Sequence, residues 1–154
     1  SKNIPIMCSA NMSVGVNIVL HYTELLAQSL DEEYDVEIHE MHHRDKLDSP
    51  SGTALALGQA VAKGRKTNLE EKTIKPRWGI EKPRIKGDIG FSTQRGGDVI
   101  GDHVVAFAGN GERIEIGHKA SNRDIFANGA LKALLWLHNK PAGYYNMKDV
   151  LGLN

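Results

Sequence analysis

The chain has 154 residues, 40% hydrophobic and 25% charged, which is enough length to bury a core and an ordinary balance for a soluble globular protein. Lys and Arg together number 19, matched by 19 Asp and Glu, so no net charge directs it to nucleic acid or to an anionic membrane. Cys8 is the single cysteine; it rules out an internal disulfide and fits a reducing, cytoplasmic setting. No apolar run approaches the roughly 18 residues of a membrane helix, and "SKNIPIMCSANMS" has no signal-peptide cleavage pattern.

The first element is "IPIMC", residues 4–8, a short apolar run that reads as a parallel strand buried on both faces. Such a strand needs neighbours, so the chain reads as the back part of a longer protein; the alternative is a disordered or edge N-terminus. Cys8 lacks an adjacent base and is expected to be buried and inert. Ser13 then caps a helix over "VGVNIVLHYTELLAQSL". "EEYDVEIHEM" alternates, with Tyr34, Val36 and Ile38 on one face, and predicts a strand ending near Met41. "HHRDKLDSP" follows as a loop, and "GTALALGQAVAK" as a second helix closed by Gly64. Residues 63–87 carry nine Lys and Arg against three Glu, the composition of a solvated loop. Trp78 is its lone aromatic, which leaves no stacking platform for single-stranded nucleic acid.

Beyond Asp88 the pattern returns to strands, in "DIGFSTQ", "DHVVAFA" and "ERIEIGHKA", the last two joined by a turn at "GNG". A long helix, "NRDIFANGALKALLWLHNK", is expected to be capped by Ser121 or Asn122 and to stop before Pro141; "NMKDVLGL" makes a short helix. The predicted fold class is α+β, a mixed or mostly antiparallel sheet with helices packed on it.

"HEMHH", residues 39–43, satisfies the zinc-protease pattern H-E-x-x-H through His39, Glu40 and His43. That pattern works on a helix, where residues four apart share a face. On a strand they lie about 13 Å apart, too far to share one ion with bonds of about 2 Å. His103 and His118 offer no recognisable spacing for a third ligand, so no metal is expected.

The same residues read better as an anion site. His42, His43, Arg44 and Lys46 follow a strand end, and Pro50 sets a turn before Ser51-Gly52-Thr53 opens a helix. Helix-start amides are unpaired and carry partial positive charge, and they bind anions. Gly52 allows close approach, Ser51 and Thr53 add hydroxyls, and an imidazole and an ammonium can donate protons. The ligand class is a small carboxylate or phosphate. Against this stands an ordinary N-cap beside surface histidines. Arg123, at the start of the last helix, offers a clamp for a second carboxylate. No G-x-G-x-x-G follows a strand, so a complete dinucleotide fold is absent from these residues.

"EIHEMHHRDKLDSPSGTA" resembles the signature of dihydrodipicolinate reductases, E-x-H-H-x-x-K-x-D-x-P-S-G-T-A. The likeness extends to "SANMSVGVN", "GDIGFSTQRGGDVIGDHVV" and "ERIEIGHKASNRDIFANGALKALLWL". The segment before "GDIGF" departs from it, with Pro76, Pro83 and fewer glycines. The resemblance implies reduction of a cyclic dicarboxylic imine by NADPH or NADH in lysine and diaminopimelate synthesis. It implies that residues 1–12 are the last strand and hinge of a Rossmann domain and that 13–154 form the substrate-binding, tetramer-forming domain, a homotetramer assembled through its sheet and inactive alone. It implies His42 and Lys46 as the catalytic pair and His43, Ser51, Gly52, Thr53 and Arg123 as substrate contacts. Ser9, Ala10, Asn11 and Met12 would touch the nicotinamide end of the cofactor.

Overall fold

The computed structural model describes residues 3–74 and 76–153. Ser1 and Lys2 of the expected hinge segment, Lys75 of the basic stretch and Asn154 lie outside them. Strand β1 (Pro5–Met7) leads into helix α1 (Val14–Ser29), strand β2 (Asp35–His42) and helix α2 (Gly52–Gly64). A short helix α3 (Leu69–Lys72) and strand β3 (Thr73–Ile74) precede β4 (Ile89–Arg95), β5 (Gly101–Ala108) and β6 (Arg113–Ala120). Helix α4 (Asp124–Leu137), strand β7 (Gly143–Tyr145) and helix α5 (Met147–Leu151) complete the order.

The main sheet has the order β3-β4-β2-β5-β6. β2 runs parallel to β4 and antiparallel to β5, so the sheet is mixed, and α2 lies in the crossover that a parallel pair requires. Alternation decides the faces. Val36, Ile38, Glu40 and His42 are all buried, whereas His39 between them is exposed. Val36 and Ile38 join Ile89, Phe91, Val105 and Phe107 of neighbouring strands, and α1 and α2 add Val19, Ala27, Ala54, Leu57 and Val61 to the same core. The apolar part of the β2 row holds the helices, and the polar part, continuing on the same face, becomes the floor of the site.

Several boundaries differ from expectation for identifiable reasons. Gly64 ends α2 as a helical residue, not as its cap; Arg65 is the C-cap and Lys66 takes the left-handed conformation with φ 55°. Gly64 is small because a Cβ there would collide with the Glu24 carbonyl of α1. Helix α4 starts at Asp124, later than expected, with Arg123 at the N-cap position and no side-chain cap; Asn122 instead accepts from the Asp124 amide at 3.0 Å. It stops at Leu137, short of Pro141. The basic stretch is not simply a loop, since it contains α3 and β3 and is tied down where Arg84 donates to Glu37 and to the carbonyls of Val36 and Asp88. β1 is half-buried, not buried on both faces, and pairs in parallel with the unanticipated β7. Cys8, expected to be buried, is exposed, although its amide still donates to the Tyr145 carbonyl of β7 at 2.8 Å.

Candidate functional site

At the C-terminal end of β2 the chain turns away from the sheet, and the residues to Pro50 return it to the start of α2; the Ser49–Pro50 peptide is cis. Ser51 caps α2, its hydroxyl accepting from the Ala54 amide at 3.1 Å. The amides of Gly52 and Thr53 head the helix, where no intrahelical partner exists. A cavity of about 260 Å³ opens above them, lined by Ala10, Asn11, His42, Lys46, Ser51, Gly52 and Thr53 among others. The distant segment 10–11 is held there by polar contacts. Asn11 Nδ2 lies 3.5 Å from Thr53 Oγ1, and Asn17 donates to the Asn11 carbonyl at 2.9 Å.

Beneath the cavity lies a buried ion pair that sequence reasoning missed. Glu40, 3% exposed, receives both terminal nitrogens of Arg95 at 2.9 and 3.0 Å. It also accepts from His42 Nδ1 at 2.5 Å, the Ser51 amide at 3.1 Å and Thr93 Oγ1 at 3.2 Å. Burial alone would raise the Glu40 pKa; hydrogen bonds from Arg95, His42 and the Ser51 amide outweigh it and hold the carboxyl below its ordinary range. Arg95 also donates from Nε to the Lys46 carbonyl at 3.2 Å and from Nη2 to the Asp48 carbonyl at 2.6 Å. His103 Nε2 stands 3.0 Å from Ser51 Oγ, and its ring packs edge-on against His42 with centroids 5.0 Å apart. Burial first, and the neighbouring His42 second, push the His103 pKa down to about 4, so this imidazole is neutral. Lys46 Nζ pairs with Asp48 Oδ1 at 2.7 Å.

The structure therefore gathers His42, Lys46, Ser51, Gly52 and Thr53 with Ala10 and Asn11 around one cavity. Other sequence-derived candidates lie elsewhere. Ser9 donates to the Asn11 carbonyl at 3.1 Å, and Met12 packs with the cluster of Ala133, Met147 and Val150. His43 and Arg123 are not among the cavity's lining residues; Arg123 is exposed at the head of α4. As for H-E-x-x-H, strand alternation sends His39 to the outer face, where it meets Ser92, and Glu40 to the buried face with Arg95. Among the described residues no group of three or more His, Cys, Asp or Glu is placed to hold a metal ion.

An imidazole and an ammonium stand beside the head of a helix on a mixed sheet, in a domain of the α+β class. The chain belongs to the family described as "Dihydrodipicolinate reductase, C-terminus", whose model matches residues 15–151. It is 57% identical over 145 residues to a 4-hydroxy-tetrahydrodipicolinate reductase of Rhodopseudomonas palustris, a match covering 94% of this chain and 54% of the relative. A 4-hydroxy-tetrahydrodipicolinate reductase of Zymomonas mobilis is 53% identical over 153 residues, covering 99% and 60%. Among solved structures, a dipicolinate-bound dihydrodipicolinate reductase from Paenisporosarcina sp. TG-14 superposes with a TM-score of 0.70 at 27% identity, over 92% of this chain and 53% of that one. The chain thus spans little more than half the length of the relatives it matches. No helix among the described residues is long and apolar enough to cross a membrane.

Proposed function

We propose that this chain is the substrate-binding and assembly part of a 4-hydroxy-tetrahydrodipicolinate reductase, an NADPH- or NADH-dependent cytoplasmic enzyme of lysine and diaminopimelate synthesis. The observation that carries the reading is the cavity that joins His42 and Lys46 to the open head of α2. The names of its relatives, and the dipicolinate held by a solved neighbour, supply the chemistry such a cavity serves. One carboxylate of a planar cyclic dicarboxylate rests on the Gly52 and Thr53 amides with the Ser51 and Thr53 hydroxyls. Arg123 and His43 serve the other end of the substrate once the site is complete.

The nicotinamide cofactor, when bound, supplies a hydride. Ala10 and Asn11 line the cavity, so these two residues of segment 9–12 are placed to border the nicotinamide. Hydride addition to the conjugated imine leaves an electron-rich ring carbon that must take a proton. Lys46 supplies it and stabilises the charge as it develops, and His42 orients the ring or shares the proton. We assign residues 1–12 to the edge of the cofactor domain. In support, among the described residues β1 pairs only with β7 in a two-stranded sheet, and Leu134 and Leu135 of α4 are 64% and 69% exposed beside it. The outer face of the main sheet, away from α1 and α2, serves tetramer assembly.

The test is pyridine-2,6-dicarboxylate added to ¹⁵N-labelled chain. Amide shifts concentrated at Gly52, Thr53, Ala54 and Asn11 are expected. Shifts scattered over the surface, or confined to α4, would place the ligand elsewhere.

A further inference from the structure

Glu40 and Arg95 are not themselves among the cavity's lining residues, yet they hold both groups that carry its chemistry. Glu40 Oε1 accepts from the Ser51 amide, Thr93 Oγ1 and Arg95 Nη2, and Oε2 accepts from His42 Nδ1 and Arg95 Nη1. An ionised carboxylate only accepts hydrogen bonds. In its uncharged form the His42 ring therefore carries its proton on Nδ1, with Nε2 as the acceptor. That nitrogen sits where a Cβ at Gly101 would approach to 2.9 Å, so Gly101 makes room for this orientation. Arg95 adds a second constraint. With its charge neutralised by Glu40, its remaining donors grip the carbonyls of Lys46 and Asp48, the two ends of the Lys46–Asp48 ion pair.

We propose that Glu40 and Arg95 are a positioning pair that sets the His42 tautomer and the place of the Lys46 loop together through one buried ion pair. The inference rests on the functional reading given above for what His42 and Lys46 act upon; the coupling itself does not. A bidentate Arg–carboxylate pair suits the task because its fork fixes direction as well as distance, which a lysine cannot do.

Two variants separate the roles. In Glu40→Gln the single oxygen stays with the three donors now at Oε1, so the amide nitrogen faces His42. His42 must then accept at Nδ1, and its proton moves to Nε2. Ring ¹⁵N spectra at about pH 8, above the usual imidazole range, should show the Nδ1–H form in the unaltered chain and the Nε2–H form in Glu40→Gln. Arg95→Lys keeps a cation beside Glu40 but loses the fork. The His42 tautomer should stay unaltered, while amide exchange in residues 44–48 accelerates and pyridine-2,6-dicarboxylate binding weakens about tenfold, the loss of roughly one charge-assisted hydrogen bond. Circular dichroism establishes that each variant is folded. An unchanged tautomer in Glu40→Gln overturns the proposal, as does unchanged loop exchange in Arg95→Lys. If Glu40→Gln does not fold, the Arg95→Lys loop exchange decides alone. Failure of the unaltered chain to bind the dicarboxylate would count against the functional reading only, because tautomer and exchange are read without ligand.

Discussion

Gly52 shows how a single residue divides fold from function. A Cβ built there meets nothing within 4 Å, and it occupies the first turn of α2, so Gly52→Ala should fold normally and melt at the same temperature or slightly higher. The added methyl would stand where a carboxylate approaches the helix amides. Dicarboxylate affinity should fall about tenfold or more, on the scale of one hydrogen bond to a charged group, in a calorimetric titration. A variant that binds as tightly as the unaltered chain would move the carboxylate off this helix. At this scale His42, Lys46 and the Ser51–Thr53 run were legible because they are contiguous. Glu40 was half legible: the alternation through Val36 and Ile38 places it on the buried face, and a buried carboxylate demands a partner. The partner was not, because Arg95 lies 55 residues away and only strand register brings it alongside. The same holds for His103 and Ser51, 52 residues apart.

Among the elements, periodicity sufficed wherever one face is buried over many residues. Helices α1 and α2 and strands β2, β4, β5 and β6 were read within a few residues of their bounds. Of the shortest elements β1 was read from its apolar run, but β3, β7 and α3 were not, since they are too short to show a period. β7 exists because β1, near the other end of the chain, offers Pro5, Ile6 and Met7 as partners for Gly143, Tyr144 and Tyr145. Glycines betray element packing that no pattern announces. A Cβ at Gly129 of α4 would fall inside contact distance of the Met12 carbonyl, rigid backbone at the edge of the cavity segment. Gly129→Ala should cost about 2–3 kcal/mol in urea denaturation, the upper range for overpacking. A cost near zero would mean that α4 and segment 10–13 are not packed as described.

For the whole molecule, the buried polar row makes stability depend on acid. His103 faces His42, Glu40, His118 and Lys46, and its folded pKa of about 4 lies below the ordinary 6.5. Above pH 6.5 it is neutral in both states and its full contribution is present. As pH falls from 6.5 towards 4, the unfolded chain takes a proton that the folded chain refuses, and stability drops by on the order of 3 kcal/mol. His118, lowered chiefly by burial, shifts in the same direction. Glu40, held below its ordinary value, adds a further loss at more acid pH. Thermal melts from pH 7 to 4 should slope accordingly, and His103→Gln should flatten that window; an equal slope in the variant would contradict the assignment.

Assembly is tested on the opposite face of the sheet. Val104 is half-buried there, on β5 between His39 of β2 and Gly117 of β6. If the outer face assembles the proposed tetramer, the unaltered chain should sediment as a tetramer and Val104→Glu should shift it towards monomer; equal sedimentation of the two would remove this face from the interface.

The central claim is that the cavity at the head of α2 receives a planar dicarboxylate. Calorimetric titration of pyridine-2,6-dicarboxylate tests it most directly, with EDTA present so that stray zinc does not compete for the ligand. The unaltered chain and a Lys46→Ala, Thr53→Val variant would be run side by side. Saturable binding at one site per chain, lost in the variant, is the predicted result. Equal binding by both proteins would contradict it, because the ligand would then be held by residues outside the cradle.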